Sequence, residues 1–268
     1  MTHKNHTGRR RVARNSSYDP VREGKPIPII FVTGTDTGAG KTLLTGLLVH
    51  HLRQNGCHAL AMKPFCCGSA HDVDLLSRMQ DGELSRKEIN PFYFEEPIAP
   101  LVAARKYRRR TPLADVVARI RDVQKRCECL VIEGVGGLMT PLGENFFAGD
   151  LMASLGCHVV VAARNKLGVI NHTLLTARGL QCYGIRRIKV ALLGCSGGDL
   201  SVQTNATILA ELVCPVRVVS LSFLGARAGT ERVLKKEYRK VKKTLALVAD
   251  FATFSPLFNT SSTSLSEK

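Results

Sequence analysis

Gly34-Thr35-Asp36-Thr37-Gly38-Ala39-Gly40-Lys41-Thr42 is the stretch that decides how this chain folds. It follows the apolar run Ile29-Ile30-Phe31-Val32-Thr33 and opens onto Leu43-Leu44-Thr45-Gly46-Leu47-Leu48-Val49. A glycine-rich turn between a strand and a helix is the setting of a phosphate-binding loop. Its glycines let backbone N–H groups turn inward around phosphate oxygens, and the helix N-terminus adds the positive end of its dipole. In such a loop Lys41 reaches the β- and γ-phosphates, and the Thr42 hydroxyl binds Mg²⁺. The general pattern has four residues between its first glycine and the Gly-Lys pair. Here five residues separate Gly34 from Gly40, and Thr35 takes the strict first-glycine position.

Outward from this loop, apolar runs and Gly/Pro punctuation predict a strand–helix alternation. Pro28 can only open a strand, because it has no N–H for a ladder. Strands are expected over about Ile29–Thr33, His58–Met62, Cys129–Ile132, His158–Ala163, Lys189–Leu193 and Val216–Leu221. Helices are expected over about Lys41–Asn55, residues 72–80, Pro112–Arg126 with Pro112 at the first helical position, and Ile170–Gln181. Asn90–Pro100 reads as irregular, Arg105–Arg110 as an exposed basic loop, and residues 231–243 as a charged helix. The fold class is therefore α/β, a P-loop NTPase-type parallel sheet with helices on both faces.

The 268 residues are 44% hydrophobic, enough for a sizeable core. No apolar run approaches the roughly 20 residues of a membrane-spanning helix, so no membrane role is expected. Nine cysteines lie in apolar surroundings with neither a CxxC nor a zinc pattern, and they read as reduced thiols of a cytoplasmic protein. The formal charge of +16 is concentrated at the ends. Residues 1–27 carry seven Lys/Arg against two acids, and residues 226–268 carry nine against four. The expected organisation is a basic tail over 1–27, a catalytic domain over 28–225, and a basic then Ser/Thr-rich tail over 226–268. No nucleic-acid motif accompanies the charge, so nucleic acid is not expected as a partner. The acid-free start, residues 1–18, offers an organelle address as the alternative to the cytoplasm.

Two further strand ends carry charge: Lys63 in Lys63-Pro-Phe-Cys-Cys-Gly68, and Glu133 in Glu133-Gly-Val-Gly-Gly137. Ligands of open α/β sheets bind beyond the carboxyl ends of the strands, so Lys41, Lys63 and Glu133 converge on one crevice. Glu133 suits Mg²⁺, and either Asp72 or Asp74 could supply a second carboxylate.

Phe31–Thr42 closely resembles the phosphate loop of dethiobiotin synthetases, extra residue included. The resemblance continues through Lys63–Gly68, Asn90-Pro-Phe-Tyr-Phe-Glu-Glu-Pro97 with Pro100, Glu133–Leu142, and Lys166-Leu-Gly-Val-Ile-Asn-His-Thr-Leu-Leu-Thr176. It fades from Lys189 onward. It implies an ATP-dependent cyclo-ligase of biotin synthesis that takes 7,8-diaminononanoate, CO₂ and ATP to dethiobiotin. Carried over residue by residue, it implies Lys63, Lys41 and Thr37 as catalytic groups. It places Gly34, Thr35, Asp36, Gly38, Ala39, Gly40, Lys41, Thr42, Glu133 and Gly136 on the nucleotide, and Thr42, Asp72 and Glu133 on Mg²⁺. Cys67, Gly168, Val169 and Asn171 fall to the substrate, the last three from a partner subunit, which implies a homodimer with shared sites. Three positions depart from the family pattern. Gly38 stands where Glu is frequent, Cys67 where Ser is frequent, and Gly194-Cys195-Ser196 where an Asn commonly reads adenine. Two alternatives stand beside this reading: a related P-loop carboxylase or amidoligase acting on another substrate, and a partitioning-type ATPase switch. The latter usually carries a second lysine where this chain has Thr35-Asp36-Thr37.

Overall fold

The structure is a computed structural model that describes residues 27–197, 199–225 and 228–253. The tail expected over 1–27 therefore lies almost wholly outside the described residues, as does 254–268. In chain order the strands and helices are β1 (Ile29–Gly34), α1 (Lys41–Gln54), β2 (Ala59–Met62), β3 (Phe65–Cys67), α2 (His71–Met79), α3 (Arg86–Ile89), β4 (Phe92–Phe94), α4 (Pro100–Lys106), α5 (Leu113–Gln124), β5 (Cys129–Glu133), β6 (Pro141–Gly143), β7 (Phe146–Phe147), α6 (Ala148–Leu155), β8 (His158–Arg164), α7 (Val169–Cys182), β9 (Ile188–Leu193), α8 (Asn205–Leu212), β10 (Arg217–Leu221) and α9 (Glu231–Ala249).

Six strands form one parallel sheet in the order β10-β9-β8-β1-β5-β2, flanked by helices on both faces. β1, β5 and β9 are buried along their whole length, which is why they read as unbroken apolar runs and not as alternating ones. Helices α1, α2 and α9 pack together over part of the sheet, while α5 with α6 and α7 with α8 cover others. The short β3–β4 ladder, Phe65↔Phe92 to Cys67↔Phe94, gives order to a segment whose prolines had suggested none. Helix α5 begins at Leu113, with Pro112 as its N-cap instead of its first helical residue. Arg105 and Lys106 close α4, and the basic run from Arg105 to Arg110 is exposed.

Glu231–Ala249 is not part of a tail; it is a 19-residue helix whose Leu234, Tyr238, Val241, Leu245 and Val248 are buried against the rest of the fold. These residues recur at helical spacing beneath an outer face crowded with Lys and Arg, and that charge obscured the apolar stripe. A buried lysine locks the helix in place. Lys189, fully buried in β9, donates from Nζ to the carbonyls of Leu247 (2.7 Å), Val248 (3.2 Å) and Asp250 (2.5 Å). These carbonyls cluster at the C-terminus of a helix, where a cation is favoured; that of Asp250 has other donors as well, from Thr253.

Candidate active site

β1 sits between β5 and β8, so the loop leaving it is flanked by the ends of both neighbours. Thr35 N–H is held by the Ala162 carbonyl of β8 at 3.1 Å. Lys41, buried, folds back to donate from Nζ to the Asp36 carbonyl at 3.0 Å, closing the loop on itself. Gly34 permits this closure: a Cβ there would stand 3.0 Å from the Asp36 carbonyl and 3.2 Å from Lys41 Nζ. Gly40, at φ +92°, is the left-handed residue that turns the chain into α1. Asp36, Thr37 and Gly38 are exposed on the loop's outer turn, and Asp36 Oδ1 accepts from Thr37 N–H at 2.6 Å. Burial pulls the Lys41 ammonium down to about 8, against the opposing pull of Glu133.

Met62 pairs with Ile132, so Lys63 and Glu133 emerge from neighbouring strands at the same height. Lys63 Nζ donates to Glu133 Oε1 at 2.6 Å and also to Asp72 Oδ2. Thr42 Oγ1 donates to that same Glu133 Oε1 at 2.6 Å. Burial would lower the Lys63 pKa, but the two carboxylates outweigh it and hold the ammonium above its usual range. Glu133 is 1% exposed and burial pushes its carboxyl up, with Lys63 opposing. Asp74, the other candidate carboxylate, turns away to Arg86 at 2.6 Å, so geometry selects Asp72. Gly136 and Gly137 bring the β5 loop onto the phosphate loop. Thr140 Oγ1 accepts from Gly137 N–H at 2.9 Å, and a Cβ on Gly137 would stand 3.2 Å from the Gly34 carbonyl.

Thr42, Asp72 and Glu133 bring together an oxygen set of the kind a hard divalent cation takes. Glu133 Oε2 is buried with no hydrogen-bond partner among the described residues. A hydroxyl and two carboxylates are the oxygen donors Mg²⁺ takes, with phosphates and water completing the shell. Among the described residues no three His, Cys, Asp or Glu could hold a metal together, as expected where substrate oxygens finish the site. The residues fit the ion.

One positioning residue escaped the sequence reading. Asn90, buried, donates from Nδ2 to the carbonyls of Lys63 (2.7 Å) and Pro64 (3.2 Å), while Lys63 N–H donates to the Ile89 carbonyl at 2.9 Å. Its signal was a polar residue opening an otherwise apolar, Pro-bounded motif. Cys67 lies at the end of β3, half-buried, its thiol pushed up to about 11 by burial and by Cys66.

Gly168, Val169 and Asn171 start α7, with Gly168 left-handed at φ +91°. No hydrogen bond among the described residues joins them to Lys41, Lys63, Asp72 or Glu133. The segment is tied elsewhere: Leu167 N–H donates to Asp199 Oδ2 at 2.9 Å. Beyond β9, Cys195 Sγ donates to the Asn165 carbonyl at 3.3 Å. The Asn205 amide nitrogen is committed to Asn165 Oδ1 (2.8 Å), Ser201 Oγ (3.1 Å) and the Lys166 carbonyl.

A parallel sheet of this order, with a glycine-rich loop and buried lysine after its central strand, defines an α/β P-loop nucleotide-binding protein. Solved structures with this fold include MinD of Aquifex aeolicus, alone (TM-score 0.53, 13% identity, 82% of this chain and 96% of that one) and in its complex with MinC (TM-score 0.55, 13% identity, 82% and 95%). The family model described as "AAA domain" matches residues 29–226. ATP-dependent dethiobiotin synthetase BioD of Bacillus licheniformis is 38% identical over 198 residues, 72% of this chain and 84% of that protein. The same-named proteins of Bacillus subtilis (33% identical over 210 residues, covering 76% and 90%) and an Anaeromyxobacter species (36% over 211 residues, covering 77% and 95%) are also similar to it. The chain belongs to the dethiobiotin synthetase family.

Proposed function

We propose that this protein is an ATP-dependent dethiobiotin synthetase, converting 7,8-diaminononanoate, CO₂ and ATP to dethiobiotin, ADP and phosphate. The observation that carries the reading is the convergence of Lys63 and Thr42 on Glu133 beside the Lys41 loop. One amine of the substrate adds to CO₂ and loses a proton, giving a carbamate. A carbamate oxygen then takes the γ-phosphoryl of ATP, releasing ADP and forming a mixed anhydride. The second amine attacks the carbamate carbon, closes the urea ring and expels phosphate.

Each step crowds negative charge into one crevice, so fixed cations do most of the work. Lys41 sits under the β- and γ-phosphates. Lys63, whose orientation is fixed by two carboxylates and by Asn90 behind its backbone, faces the carbamate and the transferring phosphoryl group. Thr37 N–H and hydroxyl lie on the exposed turn that closes over the same oxygens, and Gly34 to Gly40 with Gly136 wrap the nucleotide. Thr42, Asp72 and Glu133 would hold Mg²⁺. When bound, this ion neutralises phosphate charge and orients the triphosphate.

The substrate carboxylate is assigned to the N-terminus of α7, Gly168 to Asn171, of a second subunit, with Cys67 lining the diamine. Among the described residues no hydrogen bond ties that segment to the lysine cluster of its own chain, and exposed Leu167 and Leu175 flank it, which supports a homodimer. Nine free thiols, five of them buried (Cys57, Cys66, Cys127, Cys129 and Cys157), favour a reducing compartment, the cytoplasm. Incubation with the diamine, bicarbonate and MgATP tests the reading. One cyclic urea by mass spectrometry per ADP and phosphate is expected; ATP hydrolysis without the urea refutes it.

A further inference from the structure

We infer that Arg164 is a phosphate-binding residue of the nucleotide site, a second cation for the triphosphate supplied by the strand beside the loop. The inference rests on the nucleotide-binding part of the function proposed above.

Arg164 is the last residue of β8, the strand that pairs with β1 through Gly34↔Ala162 and anchors the loop through Thr35 N–H. Its side chain leans over the loop's exposed turn. Arg164 Nη2 stands 4.0 Å from the point a Cβ on Gly38 would occupy, and among the described residues nothing else beyond Gly38 and its chain neighbours comes within 4 Å of that point. The side chain is exposed and makes no hydrogen bond or ion pair among the described residues. A guanidinium in this position has neither been neutralised nor been tied down by packing.

The charge balance of the crevice gives this cation its use. Lys63 is already matched by two carboxylates, Glu133 and Asp72. Lys41 lies at the floor of the loop, and the exposed carboxylate of Asp36 lies on its turn. Two lysines thus face three carboxylates before a triphosphate arrives. The bare glycine turn at Gly38 leaves open space between Arg164 and the phosphate path. A planar guanidinium can donate two parallel N–H bonds to phosphate oxygens, which an ammonium cannot do, and it stays charged at all working pH values. Placed at the rim, it also attracts the incoming anion.

The test uses the full chain and needs no turnover. MgATP and AMP are titrated into the wild type, Arg164→Ala and Arg164→Lys, with thermal melts as the folding control. Arg164→Ala is expected to bind MgATP about tenfold more weakly, Arg164→Lys to recover part of the loss, and AMP affinity to stay within about twofold in all three. Unchanged MgATP affinity in Arg164→Ala overturns the inference. So does an equal loss for AMP and MgATP, which would place the side chain away from the β- and γ-phosphates. If Arg164→Ala melts early, Arg164→Gln, which keeps a polar side chain with the same three-carbon stem but no charge, carries the same comparison. A wild type that binds MgATP but forms no cyclic urea removes the synthetase reading and leaves the outcome for Arg164 unaffected.

Discussion

Lys63 and Glu133 meet at 2.6 Å because they are the next residues after a paired position, Met62↔Ile132, on adjacent parallel strands. Neither side chain has to search for the other: the ladder that joins β2 to β5 delivers both to one height at the rim of the sheet. Loss of Lys63 should therefore leave a buried carboxylate facing the phosphoryl group without its cation. Lys63→Ala is expected to lower kcat/KM at least about 100-fold, the scale of a lost electrostatic stabiliser. Steady-state kinetics check this, and near-normal turnover would remove Lys63 from the chemistry.

Asn90 gives a subtler result. Its amide holds the backbone carbonyls of Lys63 and Pro64, and it touches none of the charged groups of the crevice. Asn90→Ala should destabilise the fold by about 1–3 kcal/mol, the cost of leaving buried carbonyls unpaired. It should also lower kcat more than it raises KM for ATP, because the Lys63 ammonium loses its fixed position while the phosphate loop keeps its own. A drop in stability with unchanged kcat would restrict Asn90 to a structural part.

Helix α9 is expected to be indispensable. Truncation before Glu231 removes Leu234, Tyr238, Val241, Leu245 and Val248 from the core, and the shortened chain should aggregate. A gentler probe is Leu245→Ala, which should cost about 2–5 kcal/mol. Lys189→Met should loosen the same helix by stranding the carbonyls of Leu247 and Val248. Chemical denaturation measures each; a soluble, active truncation would return this segment to the status of a tail.

Acid should unfold the α1–α9 contact first. His51 lies buried with Nδ1 3.0 Å from the Tyr238 hydroxyl, and burial, with Lys242 and His50 adding, pulls its pKa from 6.5 down to about 4. Between those values the unfolded chain binds the proton and the folded chain does not, so stability falls as pH drops from about 6.5 to 4. The loss from this residue is on the order of 3 kcal/mol. His51→Gln should flatten the slope of melting temperature against pH over that window, and an unchanged slope would assign it to other groups, His158 first among them.

Nucleotide choice should be loose. The Gly194-Cys195-Ser196 turn presents no side-chain amide, Cys195 is engaged with Asn165, and the Asn205 amide nitrogen is held by its neighbours. A site without hydrogen-bonding groups for the ring discriminates poorly. Values of kcat/KM for ATP, CTP and GTP should fall within about tenfold of one another. A preference above roughly 100-fold, about 2.7 kcal/mol, would show that another group reads the base.

The phosphate loop, the strands that carry Lys63 and Glu133, and the parallel α/β class were all legible in the sequence. Each depends on local rules: glycine where backbone must approach phosphate, apolar runs where both faces of a strand are covered, charge where a strand ends. The family resemblance names Asp72, but the residues alone could not choose between Asp72 and Asp74, since both lie in the first turn of α2 and only the tertiary placement of that helix turns Asp72 toward Lys63. Asn90 gave no sign of its partner 27 positions away, because a hydrogen bond to a backbone carbonyl leaves no pattern in the partner's side chain. Residues 231–243 read as a charged helix inside a tail, and only the packing against α1 and Lys189 shows that its apolar stripe belongs to the core. Sequence by itself determined what each segment could become. Tertiary structure decided which groups meet, because burial and long-range contact exist only once separate segments share one core.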